Sequence, residues 1–155
     1  MKSIHWGIVG LGNIAHKFAS DLALVPNCVL QAVASSDSRR ALEFSKKFKP
    51  KNYYSNYTDL FSDPSVDVVY IASLHPFHKS HSIEAIKQGK AVLCEKPLGM
   101  NKEEVMQMIK TARDKNIFLM EALWTRFNPA FNQVNKWIND NKIGPVRYIN
   151  ASFSF

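Results

Sequence analysis

The sequence predicts an α/β fold: a Rossmann-type doubly wound parallel sheet, followed by the beginning of a second α+β unit. Three observations carry that expectation. Short β-branched runs alternate with helical windows at a steady interval along most of the chain. The segment Gly10-Leu11-Gly12-Asn13-Ile14-Ala15, a GxGxxA pattern, stands between the first strand and the first helix. The stretch Asp67 to Leu74 is nearly continuous in apolar residues, as a strand covered on both faces must be.

Each element has its own signal. A strand over Ile4 to Val9 runs into Gly10, and a helix follows over Asn13 to Leu24, with Ile14, Phe18, Leu22 and Val25 on one face, until Pro26-Asn27 breaks it. A second strand covers Val29 to Ser35, and Ser38 then caps a helix carrying Ala41, Leu42 and Phe44. Asn52 to Tyr54 reads as a third strand and Tyr57 to Phe61 as a short helix. The central strand Asp67 to Leu74 precedes a helix over Lys79 to Gln88, stopped by Gly89, and a strand over Ala91 to Glu95. Asn101 and Glu104 stand in capping-box register before a helix reaching Lys115, and Ile117 to Met120 completes the series. Residues 1–122 thus form the nucleotide-binding domain. Residues 123–155 read as the start of a second domain, with a helix over Pro129 to Asn141, a Gly144-Pro145 turn and an alternating strand over Val146 to Phe155. A strand ending the chain with Tyr148, Phe153 and Phe155 leaves an edge unpaired, so the sequence predicts a truncated chain or an absent partner.

Composition narrows the classes. The 155 residues are 46% hydrophobic and 21% charged, an ordinary balance for a packed soluble domain. No apolar run approaches a membrane span, and the start lacks the apolar core of a secretory signal, so a cytoplasmic protein without a membrane partner is expected. Cys28 and Cys94 lie in apolar stretches without metal-ligand spacing, which predicts reduced core residues, no disulfide and no metal. The net charge of +7 suits an anionic ligand, but the 20 Lys and Arg are scattered except around Lys46, Lys47, Lys49 and Lys51. A nucleic-acid partner is therefore not expected.

The chemistry gathers at strand ends. Gly10 makes the tight turn, Gly12 lets the backbone approach a diphosphate, Ala15 allows close helix packing, and the helix amides around Asn13 and Ile14 face the negative charge. A tight turn that binds nothing is the alternative. Ser35 lies twenty residues past Ala15, where a carboxylate holds a ribose or an arginine a 2′-phosphate. Ser35, Ser36, Arg39 and Arg40 favour NADP, while Asp37 argues for NAD. In a sheet of order 3-2-1-4-5-6, the segments Gly10 to Ala15, Ser73 to His78, Glu95 to Pro97 and Glu121 to Arg126 meet at the crevice. Ser73, His75, His78 and Glu95 are thereby candidate coenzyme contacts, with at least one imidazole facing the nicotinamide side. Lys96 is the candidate catalytic residue. Pro97 holds it extended, so its ammonium protonates or orients a carbonyl oxygen during hydride transfer, unless it only pairs with Glu95 or a phosphate.

These motifs carry a resemblance. Gly-Ile-Val-Gly-Leu-Gly-Asn-Ile-Ala at 7–15 and Ala-Val-Leu-Cys-Glu-Lys-Pro-Leu at 91–98 are similar to the markers of the glucose-fructose oxidoreductase, inositol dehydrogenase and rhizopine-catabolism (Gfo/Idh/MocA) family. His75 to Lys79 and Met120 to Phe127 resemble a subgroup of it acting on dihydrodiols and aldoses. The resemblance implies an NADP-dependent oxidoreductase with Lys96 as catalytic lysine and NAD as the other possible coenzyme. It places Tyr70 and His78 at coenzyme-linked positions and Trp124 and Phe153 in the pocket of a small diol or sugar substrate. At Ser36 the sequence departs from the subgroup, which has an arginine there, whereas Arg40 matches a second such arginine. Family members continue into an open-sheet domain that completes the pocket and forms a homodimer face. A nucleotide-binding fragment without turnover is the competing expectation.

Overall fold

The computed structural model describes residues 3–152, and the chain divides into two compact units, 1–122 and 123–155. In the first unit six parallel strands, β1 (Ile4–Val9), β2 (Cys28–Ala34), β3 (Asn52–Tyr54), β4 (Val68–Ile71), β5 (Ala91–Cys94) and β6 (Leu119–Glu121), pair in the order β3-β2-β1-β4-β5-β6. The helices are α1 (Asn13–Leu22), α2 (Ser38–Phe48), α3 (Tyr57–Ser62), α4 (His78–Lys87) and α5 (Lys102–Asp114). This is the doubly wound order that the sequence predicts.

Alternation along the central strands sorts side chains between two cores. Ile8, Val33 and Tyr70 point to one face with Ala15 and Ala19 of α1 and Ala41 and Phe44 of α2. Val9, Ala32, Ala34, Val69, Ile71, Val92 and Cys94 point to the other, with Leu60 and Phe61 of α3, Ala85 and Ile86 of α4 and Met108 and Ala112 of α5. Both faces of the strands are covered, which is why β4 reads as an unbroken apolar run.

Two local expectations change. The buried face of α1 is Ala15, Ala19 and Leu22, while Ile14 and Val25 are exposed. Two alanines let the helix lie close to the sheet, and the larger Phe18 flanks the contact, stacked 3.8 Å from Tyr70 at 16°. The cap of α2 is Asp37 in place of Ser38: its carboxylate accepts from the amides of Arg39 at 2.9 Å and Arg40 at 3.3 Å. A carboxylate at a helix start outbids a neighbouring hydroxyl because it also meets the helix dipole. Cys94 is buried as expected, and burial above all pushes its thiol up to about 12. Cys28, which opens β2, is only half-buried.

Between β3 and the segments that lead into β4 and β5, a polar cluster ties the chain together. Asp63 accepts from Ser65 through its amide and hydroxyl, from Asn52 at 3.1 Å and from Tyr54 at 3.0 Å. The buried ammonium of Lys90 donates to the carbonyls of Asp63 at 2.6 Å and Val66 at 2.9 Å.

The second unit contains a 3₁₀ turn (Trp124–Phe127) and helix α6 (Pro129–Asn139), capped by Asn128. The predicted strand Val146 to Phe155 is not formed over its described part, residues 146–152. A strand needs a neighbour for its amides, and the other described elements of this unit are a turn and a helix. Among the described residues no helix is long and apolar enough to cross a membrane.

Burial by itself would raise the carboxyl of Asp63, but the hydrogen bonds from Ser65, Asn52 and Tyr54 prevail and hold it below its usual 3.8. Its contribution is therefore complete above that value and fades as the pH falls through the lower folded value. Asp63→Ala is expected to cost about 1 to 3 kcal/mol at neutral pH. Asp63→Asn is expected to flatten the acid limb of stability against pH, measured by thermal melts from pH 7 downward.

Candidate active site

The strand tips converge as the topology requires. Gly10 leaves β1 with φ +84°, a left-handed conformation that favours glycine. A Cβ added there would lie 2.5 Å from the Ser73 amide nitrogen and 2.6 Å from its Cα, so the turn after β1 rests directly on the loop after β4. Gly12 is different. An added Cβ would meet no atom within 4 Å, so the space above it is open. Gly12 also precedes α1 without offering a capping side chain, and the first helical turn holds no acidic residue. By contrast Asp37, Asn56, Asn101 and Asn128 cap α2, α3, α5 and α6, while α4 also lacks a side-chain cap but follows directly on a 3₁₀ turn over His75–Phe77. The first amides of α1, at Asn13, Ile14 and Ala15, have no partner within the helix, and Asn13 and Ile14 are exposed. Open room beside uncapped amides fits a dinucleotide diphosphate.

At the end of β2, Ser35 is buried, and its hydroxyl accepts from the Asp37 amide at 3.1 Å. It shapes the turn. Ser36, Arg39 and Arg40 are exposed, and among the described residues neither guanidinium has an ion-pair partner.

The turn carrying Lys96 is tied to its surroundings on several sides. The Lys96–Pro97 peptide bond is cis. Glu95 accepts from the Tyr70 hydroxyl at 2.5 Å and from the Lys96 amide at 3.2 Å. Burial, then Glu95 itself, pushes the ionisation of Tyr70 far up, so the phenol remains a donor. Leu98 donates its amide to Glu121 Oε1 at 2.8 Å, and the Pro97 carbonyl lies 2.8 Å from His78 Nδ1. The Lys96 side chain stays exposed, and among the described residues no carboxylate lies within ion-pairing distance of its ammonium. Pairing with Glu95, the bland alternative for this lysine, is not the arrangement present.

The two histidines of the switch-point loop divide. His75 is exposed. His78 is fully buried, with Nε2 2.9 Å from the Ser73 carbonyl and Nδ1 2.8 Å from that of Pro97, so its imidazole lies between two loops. Tyr70, also buried, supports Glu95 from beneath the site. Trp124 is exposed in the 3₁₀ turn of the second unit, and Phe153 lies outside the described residues. Among the described residues no group of three or more His, Cys, Asp or Glu side chains is placed to hold a metal ion. Sequence reasoning brings Glu121 to the crevice as the start of the segment Glu121 to Arg126 but not its bond to the Leu98 amide, and it misses His81, one turn along α4 from His78.

Residues 4–123 match the model of the Gfo/Idh/MocA oxidoreductases, described as an oxidoreductase family with an NAD-binding Rossmann fold. The chain belongs to that family. Among Gfo/Idh/MocA proteins, the trans-1,2-dihydrobenzene-1,2-diol dehydrogenases of Mus musculus and Sus scrofa are 43% and 42% identical to it, over 99% and 97% of this chain and 46% of each relative. The chain thus spans about half the length of the curated relatives it matches. A scyllo-inositol dehydrogenase from Lactobacillus casei, solved with NAD(H) and scyllo-inositol, superposes on 92% of this chain and 43% of its own at a TM-score of 0.86 and 26% identity. A 3-ketoreductase variant from Actinomadura kijaniata, solved with TDP-benzene and NADP, superposes on 94% of this chain and 45% of its own at 0.87 and 28%. Rossmann architecture and family therefore agree with the expectation from the two motifs.

The two glycines should separate in a melting experiment. Gly10→Ala places a Cβ against backbone at a left-handed position and is expected to cost about 2 kcal/mol or more. Gly12→Ala meets nothing and is expected to stay within about 0.5 kcal/mol of the wild type.

Proposed function

We propose that this chain is the coenzyme-binding part of an NADP-dependent oxidoreductase that moves hydride between nicotinamide and a hydroxyl-bearing carbon of a dihydrodiol or aldose. The observation that carries the reading is the pairing of uncapped α1 amides under open space with an unpaired lysine on a turn tied to its neighbours. The two dihydrodiol dehydrogenase relatives support the substrate class.

The amides of Asn13 and Ile14, with Gly12 beneath, would hold the diphosphate, while Ser73 and His75 line the loop beside it. Ser36 and Arg40 would take the 2′-phosphate at the end of β2. Asp37, the residue that favours NAD, already spends one carboxylate oxygen on capping α2, which tilts the choice toward NADP. When bound, the coenzyme supplies the hydride acceptor or donor. Lys96 Nζ holds the proton at the substrate oxygen, giving it up to a carbonyl in reduction and taking it from a hydroxyl in oxidation. Glu95, His78, Tyr70 and Glu121 keep the turn that bears Lys96 in one place, which limits the orientational freedom lost when substrate and coenzyme meet. Trp124 and Phe153 would belong to the substrate pocket, and a homodimeric, cytoplasmic enzyme is the setting the relatives' subgroup implies.

Fluorescence titration with NADPH and NADH tests the reading. Tighter binding of NADPH is expected, and Arg40→Ala should weaken it about tenfold while leaving NADH within about twofold. Equal binding of both coenzymes would return the choice to NAD. In a form that also carries the substrate domain, Lys96→Met should lower turnover of a trans-dihydrodiol or D-xylose by at least about a hundredfold with coenzyme affinity within a few-fold. The 155 residues alone are expected to turn over weakly or not at all. Coenzyme binding without any turnover in the form that carries the substrate domain would favour the silent nucleotide-binding reading.

A further inference from the structure

His81 is buried beside the glycine turn, and neither the proposed coenzyme contacts nor the Lys96 turn uses it. Its imidazole is confined by three rings: stacked on Phe77 at 5.7 Å and 16°, and tilted against Tyr57 at 4.6 Å and Phe61 at 6.1 Å. Nδ1 lies 2.9 Å from the Ser73 hydroxyl oxygen. A ring confined on its faces and bonded at one edge has a single placement, and so does the hydroxyl it holds.

Ser73 is the point where that placement matters. Its backbone stands where a Cβ on Gly10 would clash at 2.5 Å, so it forms the wall on which the glycine turn rests. Its carbonyl is taken by His78 at 2.9 Å, and the amide of Ala72 beside it donates to Val9 at 2.7 Å. Two histidines one helical turn apart on α4 therefore grip the same residue, His78 through the backbone and His81 through the side chain. A shift of a few tenths of an ångström at Ser73 is transmitted to Gly10 without any slack to absorb it.

We propose that His81 is a positioning residue for coenzyme binding: by holding the Ser73 hydroxyl it fixes the loop against which the diphosphate-binding turn closes. The inference rests on the dinucleotide reading above. It assigns His81 no contact with the coenzyme.

The test is NADPH affinity by fluorescence titration, with thermal melts run in parallel. His81→Phe is expected to weaken NADPH about five- to tenfold. His81→Asn, whose amide reaches the place of Nδ1, should recover binding to within about twofold of the wild type. His81→Gln, similar in size and polarity but without an atom at that place, should bind as poorly as His81→Phe and serves as the second variant should the phenylalanine not fold. Combined with Ser73→Ala, His81→Phe or His81→Gln should add little further loss, because both changes remove the same bond. Unchanged NADPH affinity in His81→Gln, or equal affinity in His81→Gln and His81→Asn, overturns the proposal, as do fully additive losses with Ser73→Ala. A wild type that binds neither NADPH nor NADH sinks the dinucleotide reading first and this inference with it.

Discussion

Strand β1 is bonded to β2 on one side and to β4 on the other, and the candidate site depends on that arrangement. The connection from β1 crosses one face of the sheet and the connection from β4 crosses the other, so the loops leaving the two strands part and open a crevice at their tips. At the floor of the crevice the chains nonetheless touch, Gly10 against Ser73. Only a residue without a side chain can close that junction at φ +84°. Neighbouring Gly12 then looks out on open space, and the helix that follows has no side chain to cap it.

The second half of the site is built by restraint. Lys96 is one exposed side chain among many in a basic protein, but the backbone beneath it is bonded to β4 through Glu95 and Tyr70, to α4 through Pro97 and His78, and to β6 through Leu98 and Glu121. Tyr70 sits within β4, Glu121 at the end of β6 and His78 at the start of α4, on elements fixed by the two cores. An ammonium on such a base loses less freedom on engaging a substrate than one on a loop held only by its ends.

Most of the framework was legible in the sequence because it follows from periodicity and turn chemistry. The apolar run at β4, Gly10 before the first helix and Asn101 before α5 each have a local cause, and each expected element of the first unit formed within a few residues of its expected bounds. What could not be read locally depended on partners far along the chain. Ile14 fits a helical stripe, yet the stripe that meets the sheet is the alanine one, a matter of how closely helix and strand approach. His78 looks like an exposed loop residue in the sequence, but it is buried with its two nitrogens beside carbonyls five and nineteen residues away. Glu121 and His81 act through Leu98 and Ser73, separations that no sequence window spans. The strand expected after Gly144 failed for the same reason, since pairing needs a neighbour that periodicity does not supply.

The uncapped start of α1 has a practical side. Together with the ammonium of Lys96, the guanidinium of Arg40 and a net charge of +7, it makes this end of the sheet an attractor for any multivalent anion in solution. Sulfate, citrate and inorganic phosphate in a storage buffer are thus competitors for the same donors, and ionic strength alone weakens the long-range pull. Occupancy of the crevice is accordingly a property of the medium as much as of the polypeptide.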